Sequence, residues 1–79
     1  MKTFHKACQN ILDNKDSKAL NWAVGYARHG LTVNNEFEAG TQALYILNNI
    51  THWRGETAKE TRQMLKDFVN HDCKSNWDK

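Results

Sequence analysis

A chain of 79 residues with 11 Lys and Arg against 9 Asp and Glu, a net charge of +2, makes one domain. That excess is too small to imply nucleic acid by itself, and no stretch approaches the ~18 apolar residues that would cross a membrane. Two cysteines behind a lysine-led start, MKTFHKACQNILDNKD, whose polar residues interrupt any leader-type apolar run, read as free thiols in a reducing cytoplasm.

The first predicted helix spans 4–14, with Thr3 as its cap. Phe4, Ala7, Cys8, Ile11 and Leu12 recur at i, i+3, i+4, i+7 and i+8, an amphipathic stripe. The polar run Asp13 to Ser17 is a linker ending in a cap, Asp16 or Ser17. A second helix, 18–29, turns Ala19, Leu20, Ala23, Val24 and Ala27 inward, and Gly30 comes after it as a left-handed terminator. Its alanines invite a close neighbour, for which Gly40 is the natural partner site. Trp22 and Tyr26 sit at the border of the apolar arc, where a ring can cover the core while its polar atom reaches water. Leu31 to Asn35 is a connection, and Asn34 or Asn35 can cap the next helix.

The run 36–53 reads as a central helix. Phe37, Ala39, Gly40, Ala43, Leu44, Ile46, Leu47, Ile50 and Trp53 share an arc of about 200°, enough to pack neighbours on two sides, with Leu44, Leu47 and Ile50 at the centre. The opposite arc carries Glu38, Thr41, Gln42, Tyr45, Asn48, Asn49 and His52. Gly55 ends this helix, and Thr57-Ala58-Lys59-Glu60 matches the T-x-x-E capping box of a fourth helix, 58–71. Ala58, Thr61, Met64, Leu65, Phe68 and Val69 face inward on it. The whole is an all-α bundle of four short helices around a central one, a single domain over 1–72. The tail 73–79 is polar apart from Trp77 and reads as frayed. A tetratricopeptide repeat is excluded, because Trp22, Gly25 and Tyr26 are wrongly spaced and no second copy exists.

Candidate chemistry is sparse. His5, Cys8, His71 and Cys73 are zinc-type ligands, and a metal joining the termini would help so small a domain. Cys8, however, lies on the apolar face while His5 points away from it, so buried and frayed thiols are the expectation, with no metal and no cofactor. Phosphate loops, nucleophile elbows and H-E-x-x-H are missing, and the histidines have no well-spaced acid, so an enzyme is not expected. Lys59, Arg62 and Lys66 form a basic edge on the fourth helix after a short glycine-containing turn, a candidate nucleic-acid contact. Glu60 and Asp67 share that side and oppose it. Tyr45, Asn48, Asn49 and His52, continuing into Trp53 and Arg54, combine interface-type aromatics and arginine with directional hydrogen-bonding groups, and form the candidate protein-binding face.

The string Ala43-Leu44-Tyr45-Ile46-Leu47-Asn48-Asn49-Ile50-Thr51-His52-Trp53-Arg54-Gly55, with Tyr26-Ala27-Arg28 before it and Ala58-Lys59, Arg62, Leu65-Lys66 and Phe68 after, resembles a group of small accessory, early-region proteins of tailed bacteriophages of enteric bacteria. The likeness covers about Trp22 to Phe68. It carries no mechanism and transfers no functional residue. It implies a setting: a phage product, monomer or homodimer, in the host cytoplasm, binding and modulating or inhibiting a host protein in takeover or counter-defence. The alternative is a small nucleic-acid-binding helical module.

Overall fold

The computed structural model describes residues 2–72, with side chains through Asn70. Every regular element among them is helical: α1 (Lys2–Asp13), a 3-10 turn (Lys18–Leu20), α2 (Ala23–Gly30), α3 (Glu36–Asn48), α4 (Glu56–Asp67) and a π turn (Phe68–Asp72) that continues α4. The all-α bundle read from the sequence is the observed architecture.

The stripe on α1 is fully inward: Phe4, Ala7, Cys8 and Ile11 are all buried. Thr3 lies inside this helix, which begins at Lys2, and so does not cap it. The predicted second helix is broken in two. Bonds from Leu20 N–H to the Ser17 carbonyl (3.0 Å) and from Asn21 N–H to the Lys18 carbonyl (3.2 Å) wind the first part as 3-10. Asn21, a poor helix former, and Trp22 then separate it from α2. The tighter winding brings positions three apart onto one side, and Leu20 and Ala23 are both fully buried.

Gly30 is the last residue of α2 rather than a left-handed terminator. A Cβ there would lie 2.7 Å from Cys8 Sγ and 2.9 Å from Phe4 Cζ. The small residue therefore lets α1 and α2 approach, a role the sequence pattern had suggested for Gly40. Gly40 is buried on α3 all the same.

Asn35 caps α3 reciprocally: its Oδ1 accepts from Glu38 N–H at 2.8 Å, and its Nδ2 donates to Glu38 Oε1 at 2.8 Å. The buried face of α3 is Ala39, Gly40, Ala43 and Ile46, narrower than the predicted arc. Phe37 is 67% exposed, and Leu44 and Leu47 are half-buried at the edge of the core instead of at its centre.

The helix stops at Asn48, short of the predicted residue 53. Asn49 explains the stop. Its side-chain Nδ2 donates to the Tyr45 carbonyl at 2.7 Å, and its N–H donates to the Ile46 carbonyl at 2.9 Å. β-Branched Ile50 and Thr51 come next and favour helix less. The chain then turns through 49–55 with Ile50 and Trp53 dipping into the core.

α4 starts at Glu56, two residues earlier than predicted. Gly55 is its cap residue at φ 113° and ψ 175°, and no side chain caps the helix, so the T-x-x-E box is not formed. Its inward face, Ala58, Thr61 and Leu65, continues into Phe68 and Val69 of the π turn. Phe68 stacks on Phe4 with ring centroids 5.3 Å apart.

α1 packs against α2 and α4, and α3 packs against the same two helices and the π turn. One polar pair lies in the α1–α4 seam: Asn10 Nδ2 donates to the buried Thr61 Oγ1 at 3.1 Å. Thr61 is the sole fully buried polar side chain among the described residues, and this bond meets its hydrogen-bonding need.

Candidate functional site

α2 packs against α3, and the bordering aromatics of the two helices meet outside the core. The rings of Tyr26 and Tyr45 are 5.4 Å apart and tilted by 35°, a favourable aromatic geometry. Both remain open to solvent, 38% and 47% exposed. Trp22, one turn before Tyr26 and on the same side of the helix, is 79% exposed. With Leu31 and Phe37 these are the large apolar side chains that the described residues leave uncovered. Gln42, one turn before Tyr45 on α3, holds a buried Oε1 with no hydrogen-bond partner among the described residues.

The predicted binding face is divided by the early end of α3. Tyr45 and Asn48 are exposed on the helix, and Asn49 is half-buried with its amide engaged by the Tyr45 carbonyl. His52 is exposed in the turn. Trp53 is only 5% exposed and belongs to the core. Arg54 is exposed, but it stands at the start of α4, not on the α3 face. In place of the separated residues, the fold supplies Tyr26 from α2 and Trp22 from the position just before it. The sequence placed both at a border but held no signal that Tyr26 would meet Tyr45 across two helices.

The predicted basic edge also divides. Lys66 is exposed far along α4. Arg62 is half-buried and its Nη1 donates to two backbone carbonyls, Trp53 at 2.7 Å and Ile50 at 3.2 Å. It fastens the 49–55 turn to α4. Arg54, Gly55, Glu56, Lys59 and Arg62 line an open cleft of about 370 Å³. Two arginines and a lysine, which the sequence pattern assigned to separate surfaces, thus share one wall system.

The zinc-type ligands do not converge where they are described. His5 Nε2–H donates to the Val33 carbonyl at 2.9 Å. Cys8 is fully buried, and burial pushes its thiol up to about 12, which keeps it protonated. The His71 side chain and Cys73 lie outside the described residues. Among the described residues no group of three or more His, Cys, Asp and Glu is placed to hold a metal, and no helix is long and apolar enough to cross a membrane. No protein-family model, curated protein or solved structure matches the chain.

Proposed function

We infer that this protein is a phage accessory protein that works in the host cytoplasm by binding a host protein and modulating or inhibiting it, without catalysis of its own. The observation that carries the binding reading is the half-exposed Tyr26–Tyr45 pair, ring to ring at 5.4 Å across α2 and α3. Tyr and Trp give contact area at low entropic cost and are the residue types that anchor protein interfaces. Two helices hold these rings in place before any partner arrives, which lowers the ordering cost of association. Trp22 extends the surface along α2, and Asn48 adds a hydrogen-bonding group beyond Tyr45. The phage setting and the host partner rest on the likeness of about Trp22 to Phe68, the 43–55 string above all, to the phage accessory group.

The nucleic-acid alternative loses support at Arg62. With one of its nitrogens committed to the 49–55 turn it cannot extend Lys59 and Lys66 into a continuous basic track, and Glu60 and Asp67, exposed along the same helix, would repel the run of phosphates in a nucleic-acid backbone.

The test is affinity purification of tagged wild-type protein and of Tyr26→Ala and Tyr45→Ala from infected host cells, read by quantitative mass spectrometry. A host protein recovered with the wild type should be depleted from both variants, each of which should keep wild-type helicity by circular dichroism. Equal recovery by all three would remove the aromatic surface from the binding role.

A further inference from the structure

We propose that the cleft between Arg54, Lys59 and Arg62 binds a phosphate group, as the free ion or as a monoester. The site is separate from the aromatic surface and stands whether or not that surface binds protein. Five residues line an open volume of about 370 Å³, and three of them are cationic against one carboxylate, that of Glu56. The balance of fixed charge is therefore two positive, which suits a phosphate dianion better than a carboxylate monoanion.

The three cations are not equivalent. Arg62 is half-buried and locked by its two carbonyl bonds, so its guanidinium is already oriented. Those bonds use Nη1 alone and leave the Nη2 and Nε donors for a ligand. Arg54 and Lys59 are exposed, and neither side chain has a hydrogen-bonding or ion-pair partner among the described residues, the Lys59 N–H alone being bonded, to the Gly55 carbonyl at 3.0 Å. They can swing onto an anion without breaking an existing contact. A fixed inner cation flanked by two free outer ones is an arrangement that captures and orients an oxyanion, since Arg meets phosphate through paired N–H groups and Lys as a point charge.

Gly55 forms part of the cleft wall between Arg54 and Glu56. It has no side chain, nothing lies within 4 Å of where a Cβ would stand, and its φ of +113° excludes most L side chains. The start of α4 adds a small positive field on the same side; the three side chains carry the site.

The experiment is a titration of the full chain with sodium phosphate at pH 7.5, followed by backbone and arginine side-chain amide resonances, against sodium chloride at matched ionic strength. The expected result is a saturable shift confined to residues 54–62, including the Arg62 Nε–H. Arg54→Ala and Lys59→Ala should each weaken it by at least about threefold. Glu56→Gln should tighten it, and Lys66→Ala, outside the cleft, should leave it unchanged. Phosphoserine as a second probe assigns the site to monoesters if it binds as phosphate does, and to the free ion if it does not bind. Identical shifts with chloride, or wild-type affinity in the Arg54→Ala/Lys59→Ala double variant, would overturn the proposal.

Discussion

Arg62 reaches back from α4 to the carbonyl of Trp53, nine positions earlier, and holds it at 2.7 Å. The same nitrogen donates to the Ile50 carbonyl at 3.2 Å. Both carbonyls belong to a turn outside any helix, where the Ile50 carbonyl also accepts the Trp53 N–H at 3.1 Å, and the side chains of both residues are in the core. The turn is thus held from two directions, by apolar side chains pointing in and by one cation gripping its backbone.

Removing that grip should destabilise the domain strongly. Arg62→Ala leaves the Trp53 carbonyl without its donor, while the Ile50 carbonyl keeps only the Trp53 N–H at 3.1 Å, and should cost about 1.5–3 kcal/mol, the range for hydrogen bonds to a charged group. Lys59→Ala, on the same helix but exposed, should stay within about 0.5 kcal/mol of wild type. Urea denaturation of the two variants checks this. An Arg62→Ala loss no larger than that of Lys59→Ala would show that the clasp is not a stabilising contact.

The centre of the core on α3 is Ile46, not Leu47. Ile46 is fully buried and Leu47 only partly so. Ile46→Ala should cost about 2–5 kcal/mol, the range for emptying a core position. Leu47→Ala should cost clearly less, because water already reaches part of that side chain. Thermal melts of the pair report the order directly, and a reversed order would mean that α3 is rotated from the orientation described.

Gly30→Ala sets two effects against each other. Alanine is the better helix former by about 1 kcal/mol. The new methyl, however, would lie 2.7 Å from Cys8 Sγ and 2.9 Å from Phe4 Cζ, both in the core. Overpacking of this kind costs about 1–3 kcal/mol, and the Cys8 side chain is too short to swing away, so destabilisation should win. Gly30→Ala/Cys8→Ala should recover part of the loss, a coupling that a double-mutant cycle measures. Additive losses would mean that the two positions do not touch.

The Cys8 thiol links stability to pH. Its value rises from 9.0 to about 12 on folding, because burial disfavours the thiolate. Between those values the unfolded chain has lost a proton that the folded chain retains. Stability from this group is therefore complete below pH 9 and declines as pH rises toward 12. Cys8→Ala should flatten the alkaline limb of a stability–pH curve measured over that range. In the native protein at about pH 8, alkylation of Cys8 should proceed only as fast as the core opens, since the thiolate is the reactive form. Rapid alkylation of Cys8 under native conditions would contradict its burial.

Sequence periodicity located all four helices because their apolar positions repeat cleanly, and the α1 stripe from Phe4 to Ile11 is the clearest case. It misjudged the end of α3 because Ile50 and Trp53 are buried, as the helical pattern required, yet reach the core from a turn. Burial alone does not distinguish those two routes. The competing signal was local: Asn48 and Asn49 in succession, one of which donates to a carbonyl of its own helix. The site was less legible than the fold. Tyr45 was readable as an exposed aromatic, but its contact with Tyr26 depends on how α2 and α3 cross. Arg62 was readable as a surface cation, but its capture by the preceding turn depends on a turn where periodicity predicts helix.

The pairing of α1 with α4 has a consequence for synthesis. Phe4 is covered by Phe68, and Asn10 is bonded to Thr61, 51 positions away. On the ribosome the N-terminal helix emerges with half of its seam bare, since α2 can shield only the flank it packs against. The nascent chain must hold that apolar strip open until α4 and the π turn after it have emerged. Only then can the domain close as a cooperative unit, so no shorter N-terminal piece of it has a complete core.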